Sequence, residues 1–206
     1  MPTRGTDVLP RAFYARPTLE VARDLIGKVL VHRAPEGEAS GMIVEVEAYI
    51  GEDDPACHAA SGPTPRNAPL YGPPGFAYVY LNYGLHYLVN AVTEGDGMPA
   101  AVLIRALAPL DGLPLMRGRR HRPGGPLRTE AVCRGPGCLT RALGVTLAHN
   151  RADLTTGVLT IEDRGLRPGP VVWGPRVGIR VGTDRAWRCH VDGHASVSAA
   201  RRGPPR

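Results

Sequence analysis

Between Gly41 and Tyr49 the chain reads GMIVEVEAY. Alternation in that run gives one strand two different faces. Met42, Val44, Val46 and Ala48 share one face, which has to be core. Ile43, Glu45, Glu47 and Tyr49 share the other. A β-rich run from Lys28 to Arg33, built on Val29, Leu30 and Val31, precedes this strand across the Pro35-Glu36-Gly37 turn, so the two form a hairpin. Two more strands, Phe76 to Leu81 and Leu85 to Val92, flank a tight turn at Asn82-Tyr83-Gly84. After a turn at Gly95-Asp96-Gly97, Ala100 to Ala108 (AAVLIRALA) reads as a buried strand with one charge, Arg105. Short strands follow at Val158 to Glu162, Val171 to Trp173, Gly178 to Val181 and Arg188 to Val191.

Helical signals are few. Pro17 opens a short helix with Leu19, Ala22, Leu25 and Ile26 as its apolar face and Gly27 as its stop. Asp111 is placed to cap another that runs to about Arg117. Gly135-Pro136 opens a third, with Leu139, Ala142 and Leu143 apolar and Gly144 ending it. Strands and helices do not alternate, so the class is α+β and not a parallel βαβ fold. At 206 residues the chain suits one domain. Residues 1–8 and 199–206 are expected to fray, and residues 117–128 to form a mobile basic loop. Residues 51–75 carry no period, and so long a loop within a compact domain usually serves a function.

Composition excludes several classes. No run of about 18 apolar residues occurs, so no membrane span is expected. Nor is there an apolar stretch near the N-terminus of the kind a secretory leader has. Cys57, Cys133, Cys138 and Cys189 lack the spacing of a disulfide framework or of a tight zinc site, so reduced thiols in a cytoplasmic protein and no metal are expected. The formal net charge of +6 favours a polyanionic partner. Lys28 is the sole lysine among 25 basic residues. A GC-rich coding sequence produces that bias without any functional demand. It still has a chemical consequence: Schiff-base catalysis needs a desolvated amine, and Lys28 is far in sequence from every candidate site.

Three constellations carry chemistry. Two carboxylates on one strand face are ordinarily solvated. Beside a long polar loop, Glu47 is also suited to act as a general base, for instance at a sugar C1. Four tyrosines, Tyr78, Tyr80, Tyr83 and Tyr87, fall within ten residues. Packing accounts for strand tyrosines, but it fits Tyr83 poorly: a ring at a turn tip, in a basic protein, suits stacking on or wedging between bases. Arg105 is costly to bury unpaired. Either it sits at an edge with its head in water, or it pairs with a buried carboxylate such as Glu47.

The stretches IVEVEAYIGEDDPACHA (43–59), TPRNAPLYGPPGFAYVYLNYGLHYLVNAV (64–92), GDGMPAAVLIRALAPL (95–110) and, more weakly, GPGCLTRALGV (135–145) resemble the alkyladenine (3-methyladenine) DNA glycosylase family. The likeness runs from about Leu9 to Val197. It implies a monofunctional enzyme that flips a damaged purine out of duplex DNA and hydrolyses its N-glycosidic bond. It further implies a single domain with a curved, mainly antiparallel sheet or open-barrel core, flanking short helices and a protruding β-hairpin. In that likeness Glu47 matches the general base, and Arg105 the arginine beside the water and carboxylate. Tyr49, His58 and Tyr80 match the walls of the base pocket, and His58 also the contact to the purine edge and the water. Asn90 matches the residue that disfavours the 2-amino group of guanine. Tyr83 matches the intercalating residue, with Leu85 and His86 at the minor groove. Phosphate contacts fall to Arg134, Gly137 and Arg141. Leu70, Leu85 and Cys138 depart from residues common in the family. Expected partners are double-stranded DNA with alkylated or deaminated purines and no membrane. A monomer without cofactor is expected, nucleoid-associated if bacterial. Two rivals remain: a non-catalytic damaged-DNA binder on the same scaffold, and a carbohydrate or nucleoside hydrolase using Glu45 and Glu47 as a pair.

Overall fold

The computed structural model describes residues 7–121 and 125–199. In chain order the elements are β1 (Asp7–Val8), α1 (Arg11–Tyr14), α2 (Thr18–Leu25), β2 (Val29–Ala34), β3 (Gly37–Ile50), β4 (Ala77–Asn82), β5 (His86–Val92), β6 (Ala100–Pro109), α3 (Leu113–Arg119), α4 (Thr129–Val132), α5 (Pro136–Leu143), β7 (Leu159–Asp163), β8 (Val171–Gly174) and β9 (Arg188–Val191). Short 3-10 turns occupy His58–Ser61, Ala68–Tyr71 and Leu147–His149. The fold is α+β: a single domain in which one antiparallel sheet curls into a half-barrel with a few short helices.

β3 organises the sheet, whose order is β1-β7-β2-β3-β6-β5-β4. One edge of β3 pairs with β6 from Gly41 to Ile50. The other edge pairs first with β2 through Gly37–Met42, then with β9 through Glu45–Glu47. That change of partner lets the C-terminal β8–β9 hairpin join the sheet midway along its longest strand. The β3–β6 register shifts between Ile43 and Glu45 and again between Glu45 and Val46, which leaves Val44 on β3 and Arg105 on β6 out of the ladder. Bulges of this kind bend a strand and re-aim its side chains.

The bulge changes the expected faces. Ile43, which alternation puts with the carboxylates, belongs to the main core with Val44, Val46 and Ala48, while Met42 is only partly buried. Both glutamates are fully buried, not solvated. The first long helix, α2, buries Thr18, Val21, Ala22 and Leu25, and its Leu19 is exposed instead of facing the core. A second, smaller cluster of Cys57, Ala59, Leu70, Tyr78, Val92 and Ala101 lies apart from the main core, with Tyr49, Tyr71 and Tyr80 packed on it.

Other expectations need correction. Asp7–Val8 does not fray but pairs with β7, and Leu9 is buried. Asp111 caps no helix: Gly112 takes that position, and the Asp111 carboxylate accepts hydrogen bonds from Ser40 and Arg164. The stretch 117–128 is not a free basic loop throughout. Arg117–Arg119 ends α3, the Arg117 guanidinium donates to Thr129 Oγ1, Arg120 donates to the Val132 carbonyl, and Leu127 is buried. Residues 1–6, 122–124 and 200–206 lie outside the described residues, and most of the expected frayed ends fall on them. Gly178 to Val181 forms no strand. It is irregular backbone in the connection from β8 to β9, where the need to follow the cavity wall overrides the β propensity of Ile179 and Val181.

β4 and β5 form a hairpin with Asn82 opposite His86, so the turn is Tyr83-Gly84-Leu85 and Leu85 belongs to it, not to the returning strand. Tyr83 and Gly84 both have positive φ, 48° and 68°. The Leu85 N–H donates to the Asn82 carbonyl at 3.0 Å. α5 braces this hairpin close to its turn. A Cβ on Gly137 would lie 2.6 Å from the His86 ring, and Thr140 Oγ1 donates to the Tyr87 carbonyl at 2.7 Å.

Candidate active site

A cavity of about 960 Å³ opens between the β4–β5 hairpin, the loop after β3 and the β8–β9 connection. That is within the range of small-molecule sites. Tyr49, His58, Tyr80, Tyr83, Asn90, Arg105 and Arg134 line it, as do Val177 to Val181. Its lining therefore mixes residues expected from the sequence with a segment read there as an ordinary strand.

Glu47 lies behind this wall with no solvent exposure. Its Oε1 accepts the Val177 N–H at 2.6 Å. Its Oε2 accepts the Tyr49 hydroxyl at 2.9 Å and Arg105 Nη1 at 3.1 Å. Burial pushes the Glu47 carboxyl above the ordinary range, and the charge of Arg105 and the two hydrogen bonds only partly offset it. A carboxylate has room for about four donors, so three contacts leave capacity for one more.

Glu45, two residues earlier, has a different environment. Its Oε1 accepts from Arg105 Nε at 2.9 Å, Arg188 Nε at 2.7 Å and Ser198 Oγ at 2.8 Å, and its Oε2 accepts the Ser198 N–H at 2.7 Å. Burial opposes its ionisation too, but two guanidinium groups and Ser198 outweigh it and hold the carboxyl below its usual range. Arg105 is thus buried and paired with both carboxylates, and it is not an edge residue. Although burial opposes its charge, the two glutamates hold it firmly protonated.

The aromatic wall is built by β4. Tyr78 and Tyr80 point to one side, 5.1 Å apart between ring centroids, and His58 lies 4.5 Å from Tyr80. Tyr78 does more than pack: its hydroxyl is 2.8 Å from His58 Nδ1 and so orients the imidazole. Burial, with some help from Arg66, holds His58 below the usual histidine range and so favours its neutral form. Asn90 is buried and spends an amide hydrogen on the Tyr78 carbonyl.

At the hairpin tip, on the rim of the cavity, Tyr83 is 88% exposed, and Leu85 beside it is 76% exposed. His86 is exposed and stands over Gly137. Arg134 Nε donates to the Val197 carbonyl and Arg141 Nε to the Arg119 carbonyl, so both arginines are tethered at the surface. Leu85, His86, Gly137 and Arg141 do not line the cavity, and Leu70 does. Lys28 pairs with Asp163 and is not part of the wall. All four cysteines are free. Among the described residues, no group of three or more His, Cys, Asp or Glu side chains is arranged to hold a metal, and no helix is long and apolar enough to cross a membrane.

Sequence reading missed Val177, Arg176, Arg188 and Ser198. They lie 130 or more residues beyond Glu45 and Glu47 or, for Arg176, 122 beyond its partner Asp54. No local period signals such a contact.

Comparison with known proteins places these residues in a family. A family model described as methylpurine-DNA glycosylase matches residues 12–195. A protein of Burkholderia lata is 47% identical over 93% of this chain and 91% of its own length. One of Methanocella arvoryzae is 48% identical over 93% and 96%. One of Rubrobacter xylanophilus is 50% identical over 87% and 91%. Each carries a name that refers to 3-methyladenine DNA glycosylase. With a match of that length and relatives at that identity, the chain belongs to the methylpurine-DNA glycosylase family.

Proposed function

We propose that the chain is a monofunctional base-excision glycosylase. It flips a damaged purine from duplex DNA into the cavity and hydrolyses the N-glycosidic bond, leaving an abasic site. Its substrates are 3-methyladenine, 7-methylguanine, hypoxanthine and ethenoadenine lesions. The observation that carries this reading is Glu47, a fully buried carboxylate held by Arg105, Tyr49 and the Val177 N–H directly behind an aromatic-walled cavity.

Glu47, when ionised, takes a proton from a water that fills its remaining acceptor position. The hydroxide forms the new bond to C1′ while the C1′–N9 bond breaks and its electron pair leaves with the base. Arg105 keeps Glu47 charged and aimed. A cationic alkylpurine departs as a neutral base. Hypoxanthine has to gain a proton as it leaves, and a bound water supplies it. Tyr49, His58 and Tyr80 stack against and edge the flipped base, and stacking on electron-rich rings favours a cationic one. The amide of Asn90 disfavours the 2-amino group of undamaged guanine. Tyr83 fills the gap left in the duplex, with Leu85 and His86 in the minor groove. Arg134, Arg141 and the backbone at Gly137 hold phosphates. Flipping costs least for damaged or mispaired bases, which adds selectivity.

The test is base release from duplexes carrying hypoxanthine or ethenoadenine. Glu47→Gln is expected to abolish release while leaving lesion binding largely intact. Full release by that variant overturns the mechanism. Binding without release from every lesion by the wild-type chain leaves only a damaged-DNA binder.

A further inference from the structure

The rear of the cavity depends on an ion pair to which the preceding mechanism gives no task. Arg176 immediately precedes Val177, whose N–H meets Glu47 Oε1 at 2.6 Å. The Arg176 and Asp54 side chains are both without solvent exposure. Their pairing is bidentate: Nη1 donates to Asp54 Oδ2 at 2.6 Å and Nη2 to Asp54 Oδ1 at 2.8 Å. The same guanidinium donates to the Ala48 carbonyl at 3.0 Å and the Gly182 carbonyl at 3.2 Å. It also lies 4.7 Å from the centre of the Tyr49 ring.

These contacts converge on the base. Ala48 is the residue between Glu47 and Tyr49, so anchoring its carbonyl restrains both neighbours. Asp54 belongs to the loop that leads from β3 to His58, and it accepts the Ala56 N–H at 3.2 Å. Gly182 closes the other side: a Cβ there would lie 3.0 Å from Arg176 Nη2, and the residue has a φ of +60°. A buried ion pair is poor evidence for stability, because burying both charges costs as much as pairing returns, and apolar residues of similar volume often fold as well. What such a pair does supply is fixed geometry through a planar fork.

We propose that Arg176, clamped by Asp54, is a positioning residue for the Glu47 base: it sets the Val177 N–H on Glu47 Oε1 and fixes the Tyr49 ring in the cavity wall. This rests on Glu47 being the base. Other charged or titratable groups facing Glu47 are Arg105 from β6, Glu45 and Tyr49 from its own strand, Tyr80 from β4 and Arg188, its register partner on β9. The Arg176 cation itself also faces Glu47 and Tyr49, so the side-chain variants alter charge as well as geometry, whereas a change confined to the Val177 N–H leaves every one of these groups in place. Loss of the Val177 N–H removes one of the contacts that favour ionised Glu47, so the carboxyl rises further.

Single-turnover base release from a hypoxanthine duplex across a pH series tests this in four proteins besides wild type. They are Asp54→Asn, Arg176→Gln, the double variant Arg176→Gln with Asp54→Asn, and a chain with a backbone ester at Val177 that deletes only the N–H. A lost hydrogen bond to a charged group corresponds to about a tenfold or larger fall in rate. That fall is expected at neutral pH, with the acid limb moved to higher pH and the Kd for the lesion duplex changed by less than about threefold. The double variant leaves no unpaired buried charge, so it is expected to fold yet remain slow. Wild-type rate and acid limb in a folded clamp variant overturn the proposal. So does a rate loss that follows the thermal midpoint with the acid limb unmoved. If the side-chain variants do not fold, the ester decides, and an unmoved acid limb there overturns it. Glu47→Gln is run alongside. Its full activity removes the base assignment and this inference together, whereas its inactivity beside normal clamp variants removes the clamp alone.

Discussion

Glu45 and Glu47 are two residues apart on β3, equally buried, and shifted in opposite directions: Glu45 below the ordinary carboxyl range and Glu47 above it. The cause is the number of cationic partners. Glu45 faces two guanidinium groups and Ser198, while Glu47 shares one of those arginines and otherwise meets neutral donors. A carboxyl with a lowered folded pKa stabilises the fold above its unfolded pKa, and loses that contribution as pH falls through the folded value. Glu47 has the reverse sign: its contribution is complete below the unfolded pKa and is lost as pH rises through the raised folded value.

It follows that Glu47→Gln is more stable than wild type at neutral pH, because the amide removes a charge the fold disfavours. For a domain of this size about 1 kcal/mol corresponds to a rise of ~2–4 °C in Tm. Calorimetry on both proteins checks this. A lower Tm for the variant at neutral pH contradicts the sign.

The acid limb of base release is expected above the ordinary glutamate value of about 4.3, since Glu47 has to be ionised and its pKa is raised. Cationic 7-methylguanine and neutral hypoxanthine share that limb. On the plateau above it they separate in solvent isotope effect, because only hypoxanthine has to acquire a proton, from the bound water, as it leaves. Single-turnover rates of the two lesions in light and heavy water, measured in parallel, show this as a larger isotope effect for hypoxanthine than for 7-methylguanine.

Tyr83→Ala is expected to leave the unfolding free energy within about the ±0.5 kcal/mol typical of surface changes, given its exposure. Stacking on a base contributes about 1–3 kcal/mol, so release from a duplex lesion falls about tenfold or more. On a single-stranded lesion, where no gap has to be filled, the loss is smaller. Equal losses on both substrates remove Tyr83 from the wedge role.

Gly137→Ala places a methyl where the His86 ring stands, 2.6 Å away. His86 cannot yield without its strand, because its own Cβ is 2.7 Å from that point. Overpacking of this kind costs about 1–3 kcal/mol. The variant is expected to lose stability and to bind duplex DNA less tightly, through a displaced hairpin. Unchanged affinity in a folded Gly137→Ala protein argues against a role for that hairpin setting.

Lys28→Arg is expected to keep full base release, because the side chain pairs with Asp163 away from the cavity wall. Borohydride reduction during turnover is expected to trap no covalent DNA adduct. A trapped adduct that disappears in Lys28→Arg shows lyase chemistry instead.

The legible parts of the fold were those with local signals. Alternation marked β3 and the side-chain faces at Glu45 and Glu47. The apolar run marked β6 and isolated Arg105, and the Asn-Tyr-Gly sequence located the hairpin tip to within one residue. Ile43 was assigned to the wrong face because a bulge breaks the two-residue period, and nothing in the side chains around Val44 announces a bulge. The β8–β9 connection read as a strand because Ile179 and Val181 favour one, while the bonds that actually fix it run from Arg176 to Asp54 and from Val177 to Glu47. Periodicity tells which side of an element is covered. It does not tell which distant segment covers it.

The pairing of β9 with the middle of β3 has a consequence for how the protein is made. A ribosome releases Glu47, Tyr49, the aromatic hairpin and Arg105 well before it releases Val177, Arg188 and Ser198. Until that last portion folds back, Glu47 lacks the Val177 N–H, Glu45 lacks Arg188 and Ser198, and β3 lacks its β9 neighbour. Long-range pairings of this kind form late. If Glu47 is the base, a nascent or C-terminally cleaved chain is expected to present the hairpin without an assembled carboxylate, and so to bind DNA without releasing a base.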